Sequence, residues 1–331
     1  MTRALAAPAL SVCLVAGPAS NIIAQPVSVE RVAYLMGTRV TLVAEAPDRA
    51  TAVERLEALL GSLEQTEREL STWRDNSVLS RVSRQPLGEP FLLPDSVCRL
   101  WPQLVVWHEA TDGAFDPAIG AWRDAWGLRD GGRVPTEEER SSAEGRAGLA
   151  HLGFDPAACT LTRAREVTLD AGAFGKGAGL ARLPRADGGE SWLVDLGGQV
   201  AVSGRARSVA LAHPVHRART VAELSLDHGS LATSGDSERS WDWGTRVTHL
   251  LDPRTGRPLA RSASVTVWHP DPLVADILST ALYVLGPDEG LRLAEARSLA
   301  VLFLVVDQED GRLRQLPSAA FTTRFGALSL P

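Results

Sequence analysis

The spacing of apolar positions changes along the chain, and the changes divide it into elements. Residues 31–44 alternate with a period of two around Met36-Gly-Thr38, which predicts a strand, or two strands kinked at Gly37. From Pro47 to about Leu70 the period becomes helical, with Val53, Leu56, Leu59, Leu60 and Leu63 along one side of a long amphipathic helix. Ser71-Thr-Trp-Arg-Asp-Asn-Ser77 breaks that helix, and a short one follows. Pro94-Asp95 opens another, to about Glu109. It runs into Thr111-Asp-Gly-Ala-Phe-Asp-Pro117, a loop of turn formers and carboxylates. Residues 127–150 are polar and Gly-rich, with a helix from Pro135, and read as a flexible excursion.

Glu166-Val-Thr-Leu169 has the pattern of a strand, and the Gly-rich turn behind it opens a short helix. Trp192-Leu-Val-Asp-Leu196 is a buried-type strand ending at Gly197-Gly198, with strand-like segments near 199–203, 207–212, 221–226 and 246–251. The tail holds a strand from Ser264 to Trp268, helices over 271–285 and 287–298, and the strongly apolar strand Ala300 to Val306. No repeat and no linker interrupts this order. It predicts a single α/β domain, α+β in kind, with an antiparallel-rich sheet and flanking helices.

Composition narrows the class. A chain of 331 residues that is 44% hydrophobic has ample material for a core. A net charge of −6 argues against non-specific nucleic-acid binding. Cys13, Cys98 and Cys159 are far apart and show no C-x-x-C, so spacing indicates neither a zinc site nor a disulfide framework. At the N-terminus, Arg3 precedes an apolar, Ala-rich run from Ala4 to Ala16, and Gly17-Pro-Ala19 has the small residues of a cleavage site. Residues 1–24 are therefore expected to be an export segment and 25–331 the domain, with the periplasm or the outer face of the inner membrane as its place and the cytoplasm as the alternative. Leu10-Ser-Val-Cys13 has the outline of a lipoprotein box, with bulky Val12 where a small residue belongs.

Several residues then suggest chemistry. In Asp170-Ala-Gly-Ala-Phe-Gly-Lys-Gly-Ala-Gly179, a strand-to-helix turn would aim free N–H groups at one spot, which suits phosphate. Lys176 stands in its middle, the only lysine among 34 basic residues. A lone lysine suggests a place for a point charge where the arginine fork does not fit. The spacing is neither that of a P-loop nor that of a dinucleotide fingerprint. Asp271 and Pro272 start a helix in which Asp276 is an interior carboxylate among apolar neighbours, with Thr280 one turn on. Asp and Thr oxygens are hard ligands suited to Mg²⁺; a solvent-edge polar stripe gives the same pattern. His249, three residues before the turn Asp252-Pro-Arg-Thr-Gly256, is either a core histidine or a proton acceptor. Met36 and Trp73 are candidates to lie against a flat ring.

Taken together these segments resemble the ApbE-type FAD:protein FMN transferases. The resemblance rests on Met36-Gly-Thr38, Leu70-Ser-Thr-Trp73 with Ser77, the 111–117 loop, Asp170 to Gly177, Leu196-Gly-Gly198, Ala232-Thr-Ser-Gly-Asp236, His249 to Gly256, and Ala275-Asp-Ile-Leu-Ser-Thr-Ala281, in that order over roughly 31–306. It implies an enzyme that binds FAD and Mg²⁺ and moves FMN onto a Thr or Ser hydroxyl of an acceptor flavoprotein, releasing AMP. The acceptor would carry a Ser/Thr-Gly-Ala-Thr-type segment, and membrane association would come through that acceptor or a lipid anchor. By motif, Met36, Trp73, Ala114, Phe115, Asp116, Asp170, Lys176 and Leu250 would line the FAD site. The Ala173 carbonyl, Asp276 and Thr280 would hold Mg²⁺, with Ser279 nearby. His249 would be the base, acting with Lys176 and Asp276. An FAD pyrophosphatase or a flavin-binding protein without turnover would use the same groups. The chain departs from the family where Ala181 replaces an Asp and Pro184 soon follows. That predicts an early helix end and looser packing around the phosphate loop.

Overall fold

The computed structural model describes residues 25–236, 240–242, 246–259, 261–307 and 309–328. The expected export segment, 1–24, lies outside them. Eight strands form one antiparallel sheet whose spatial order is the chain order: β1 (Val27–Leu35), β2 (Thr38–Ala46), β3 (Ser191–Leu196), β4 (Gln199–Ser203), β5 (Gly229–Gly235), β6 (Ala263–His269), β7 (Ala300–Val306) and β8 (Leu313–Pro317). The fold is α+β and a single domain.

The kink at Gly37 is a two-residue hairpin. Leu35 pairs with Thr38, while Met36 (φ 53°) and Gly37 (φ 74°) both take left-handed backbone, as the turn that matches strand twist requires. A methionine held at positive φ is uncommon. Its N–H is secured by the Glu67 carboxylate at 2.8 Å. Gly197 and Gly198 make the same kind of turn between β3 and β4. The Gly197 N–H donates to the Arg39 carbonyl at 3.2 Å, so the two hairpin tips meet.

The long connection between β2 and β3 carries most of the helices. α1 (Arg49–Leu70) starts on an Asp48 cap and lays Leu56, Leu59, Leu60 and Leu63 over Val40, Leu42 and Ala44 of β2. Each such leucine contributes roughly 1.5–3 kcal/mol by burial. Val53, expected on that face, is 38% exposed. α2 (Val78–Arg84) and α3 (Asp95–Ala110) follow. Beside them lies a small sheet the apolar pattern did not reveal, with the order Pro90–Leu92, Thr160–Arg163, Leu152–Asp155. Cys98 of α3 is disulfide-bonded to Cys159 at the turn of that sheet, a pairing that spacing allowed without supporting.

The 127–150 region also departs from expectation. A short helix missed in the sequence, α4 (Gly120–Ala125), packs Trp122 beside Ala143 of α5 (Glu137–Glu144). α5 is fixed by a full capping box between Thr136 and Glu139. Residues 166–169 form no ladder. Their backbone is satisfied instead by Gly120 N–H donating to Thr168 O at 2.9 Å and Leu169 N–H donating to Ser83 Oγ at 3.0 Å.

α7 (Pro272–Ala296) follows β6 and breaks at Gly286 (φ 79°), next to Pro287, so it is in effect the two helices expected. Its Val274, Leu278 and Leu282 cover Val265 and Val267 of β6 and Val301 and Phe303 of β7. The opposite face of the sheet is covered by the hairpin Arg207–Ala212/Thr220–Leu226 and by the helix α8 (Ala319–Phe325). No helix among the described residues is long and apolar enough to cross a membrane.

Candidate active site

The site forms where the two hairpin tips, the 170–177 turn, the N-terminal half of α7 and the 249–256 loop meet. Two adjoining cavities lie there, about 200 Å³ and 680 Å³. Thr72, Trp73, Asp170, Gly172 and His249 line both. The first also takes Ala114, Phe115, Asp116, Ala173, Leu250 and Thr280, and the second Met36 and Lys176. Of the residues given an FAD, metal or catalytic role from the sequence, only Asp276 and Ser279 line neither.

The 170–177 turn is anchored from below. Asp170 N–H donates to the Pro117 carbonyl at 2.7 Å. The Asp170 carboxylate accepts from Gly172 N–H at 2.7 Å and pairs with Arg123 of α4. Phe174 and Gly175 N–H donate to the Ala171 carbonyl, at 3.2 and 2.7 Å. Gly177 N–H donates to Asp276 Oδ2 at 2.7 Å. Those five amides are thus engaged inside the protein and are not among the free N–H groups expected of this turn. Cationic side chains are left to receive an anion there, and Lys176 is the first of them.

The short helix α6 (Gly175–Ala181) does end early, but the looser packing expected of it is absent. Gly177, Ala178, Gly179 and Leu180 are buried. A Cβ on Gly177 would lie 2.5 Å from the Pro272 carbonyl oxygen and 2.8 Å from Leu273 Cα, so only glycine lets α6 and α7 approach this closely. Arg182 closes the end of α6 onto Glu69 at 2.8 Å.

Asp276 is 3% exposed within α7, its carboxylate directed at Gly177. One turn on, Thr280 reaches the first cavity, where Ala173 also lies. Ser279 is turned away: its hydroxyl donates to the Asp276 carbonyl at 2.9 Å and meets Ser234 Oγ at 2.9 Å. Ser234 Oγ also lies 3.3 Å from Thr280 Oγ1. Among the described residues there is no cluster of three His, Cys, Asp or Glu side chains. The donor set is one buried carboxylate with hydroxyl and carbonyl oxygens. Hard oxygens in that number fit an ion that keeps water and phosphate as further ligands, which describes Mg²⁺ rather than Zn²⁺.

The 111–117 loop forms the apolar wall. Thr111 Oγ accepts from Phe115 N–H at 3.1 Å, and His108 Nδ1 donates to the Phe115 carbonyl at 2.8 Å. The Phe115 ring points into the core against Phe174, so this residue offers the cavity its backbone. Asp116 accepts from Ala118 and Leu149 N–H, at 2.7 and 2.9 Å. Burial pushes its pKa up, although those amides and His108 pull the other way. Its carboxylate holds the wall in place.

Trp73 is 66% exposed with the Arg129 guanidinium 4.3 Å from its ring centroid. Arg129 is held there by Thr72, whose hydroxyl accepts at 2.8 Å. His249 stands at the bend between the strands Arg246–Thr248 and Leu251–Asp252. Behind it, Asp252 receives the Arg254 N–H at 3.0 Å in the expected self-bonded turn. Trp126 Nε1 donates to the Gly256 carbonyl at 2.7 Å and ties that turn to α4. The polar motif at 232–236 runs along the end of β5, and Asp236, just past that strand, accepts from Ser262 N–H at 2.6 Å and from the Tyr283 hydroxyl. The sequence reading missed Arg123, Arg129 and Arg217, all lining residues.

Residues 36–303 match the model of the ApbE family. The chain belongs to the ApbE family. Among the relatives of this ApbE chain is the FAD:protein FMN transferase of Vibrio cholerae, 30% identical over 84% of this chain and 85% of that protein. Another, the FAD:protein FMN transferase of Haemophilus influenzae, is 27% identical over 82% of this chain and 83% of that protein. The fold is similar to the crystal structure of the Pseudomonas stutzeri flavinyl transferase ApbE, with a TM-score of 0.80 and 29% identity over 93% of this chain and 99% of that one.

Proposed function

We propose that this ApbE-family chain transfers FMN from FAD to a Ser or Thr hydroxyl of an acceptor flavoprotein and releases AMP, with Mg²⁺ required. The observation that carries the reading is the meeting of Trp73, Asp170, Lys176, His249 and Thr280 around two joined cavities in a chain of this family. An elongated dinucleotide matches the pair of cavities: the first is walled largely by Leu128, Leu250, Leu251 and Pro253, while the second holds Lys176. Trp73 and Met36 offer a ring and a thioether to flat ring systems.

Lys176 would counter the charge of the pyrophosphate. His249, at the junction, would take the proton of the acceptor hydroxyl, a poor nucleophile at neutral pH. Ala173, Asp276 and Thr280 would hold Mg²⁺, which when bound spreads the charge of the phosphates. We further propose an extracytoplasmic location, supported by the Cys98–Cys159 disulfide and by the apolar 1–24 segment. The acceptor segment we infer is of the Ser/Thr-Gly-Ala-Thr type.

Asp276→Asn tests the metal role, because the amide oxygen can still accept from Gly177 N–H while the charge is gone. Turnover with Mg²⁺ should fall by more than about 100-fold, the several kcal/mol such charge stabilisation is worth, with little change in the unfolding midpoint. A variant that turns over at the wild-type rate would remove Asp276 from the metal site.

A further inference from the structure

Two cations line the second cavity without a carboxylate partner among the described residues: Lys176 from α6, and Arg217 from the loop that joins Arg207–Ala212 to Thr220–Leu226. The carboxylates on that cavity are already engaged. Glu67 accepts from Met36 N–H at 2.8 Å and from Arg74 at 3.0 Å, and Asp170 accepts from Gly172 N–H and pairs with Arg123. The wall therefore presents two cations whose counter-charge must come from what binds.

Arg217 is carried on a braced loop. His213, 6% exposed, lies beneath it, and its Nδ1 accepts from Val215 and His216 N–H at 3.1 and 3.2 Å. His213 N–H donates to the Arg219 carbonyl and Arg219 N–H to the His216 carbonyl, each at 2.8 Å. Arg217 sits between these closing bonds.

We propose that Arg217 is a substrate-binding residue that, together with Lys176, grips the pyrophosphate of the dinucleotide donor. This rests on the transfer reaction proposed above. Of that reaction's parts, the flavin ring, the adenine and the acceptor hydroxyl are neutral, and the pyrophosphate carries the negative charge. A guanidinium fork matches two phosphate oxygens at once, whereas the lysine acts as a point charge. In the transfer, the acceptor oxygen bonds to the FMN-side phosphorus and its proton passes to the base. The bond from that phosphorus to the bridging oxygen breaks, and AMP leaves with the bond's electron pair. The charge gained by the leaving phosphate falls where Arg217 can hold it.

The test compares the wild type with Arg217→Gln and Arg217→Lys, using ADP and adenosine as binding probes and FAD turnover as a second readout. Losing one charge-assisted contact should weaken ADP binding and raise KM for FAD by about 10- to 100-fold, while adenosine binds as before and Arg217→Lys recovers part of the loss. An equal loss for adenosine would place Arg217 against the base. Unchanged ADP binding with a raised KM for the acceptor would place it on the acceptor side. Either result overturns the proposal. A wild type that binds ADP through Arg217 but transfers no FMN would sink the functional reading and leave Arg217 as an anion-binding residue, so the two failures are told apart.

Discussion

A methyl group on Gly177 would come within 2.6 Å of Asp276 Cβ as well as striking the turn before it, so the contact between α6 and α7 is set by one hydrogen atom. Gly177→Ala should destabilise the protein by about 1–3 kcal/mol, the usual cost of overpacking. It should also reduce transfer activity beyond what the lost stability explains, since Asp276 must shift. Urea midpoints alongside initial rates check both; a variant with wild-type values in each would mean that α6 moves aside freely. At this scale the sequence was legible where a residue type is rare or out of place. Lys176, the only lysine, lines the second cavity, and Asp276, a carboxylate in an apolar helix, is bonded to Gly177 next to it. Arg123, Arg129 and Arg217 were not legible, because nothing in an arginine-rich chain distinguishes a lining arginine from a surface one until its loop is placed. Ser279, set near the metal by the resemblance alone, has its hydroxyl committed to Asp276 O and Ser234.

Among the elements, α7 carries the metal-site candidates and begins in a pH-sensitive way. Asp271 caps it through Leu273 N–H at 2.9 Å, and Asp271 N–H in turn donates to His269 Nδ1 at 3.0 Å. That nitrogen must be unprotonated to accept. Burial lowers the pKa of His269 from the ordinary imidazole value, against the opposing pull of Asp271. As pH falls, the unfolded chain therefore takes up this proton before the folded one does. The contribution of His269 to stability is full above the ordinary value of 6.5 and declines as pH falls below it, toward the depressed folded value. In urea titrations from pH 8 to pH 5, His269→Gln should show a shallower loss of stability than the wild type; parallel slopes would exclude this proton. Long elements with an unambiguous period were legible: β7 was read at its observed bounds and α1 within two residues at its start. Short elements were not. α4 and the three strands of the small sheet have too few residues to show a period and exist through packing on their neighbours. Residues 166–169 were β-rich but have side-chain and turn partners in place of a strand neighbour.

At the scale of the whole molecule, the eight-stranded meander holds the 249–256 loop and the turn after 169 against each other although they lie far apart in sequence. The order of the motifs was readable, but their meeting depends on strand pairing that no local pattern encodes. The disulfide could be named as a possible pairing but not supported for the same reason, since a separation of 61 residues says nothing about distance. Closing a loop of that length is worth about 4 kcal/mol in the chain-entropy account. Reduction, or Cys98→Ser with Cys159→Ser, should lower the unfolding free energy by about 2–4 kcal/mol while FAD binding persists under native conditions. The bond joins α3 to the small sheet, and neither cysteine lines the cavities. Loss of FAD binding together with the bond would mean that the disulfide shapes the site itself.

The most direct measurement is to mix the protein with FAD and Mg²⁺, with and without an acceptor domain bearing a Ser/Thr-Gly-Ala-Thr segment, and to follow AMP release and acceptor mass. The account predicts AMP together with an acceptor heavier by FMN less water, both abolished by Asp276→Asn. AMP and free FMN in equal amounts whether or not acceptor is present, with no gain in acceptor mass, would contradict transfer and make the protein a pyrophosphatase.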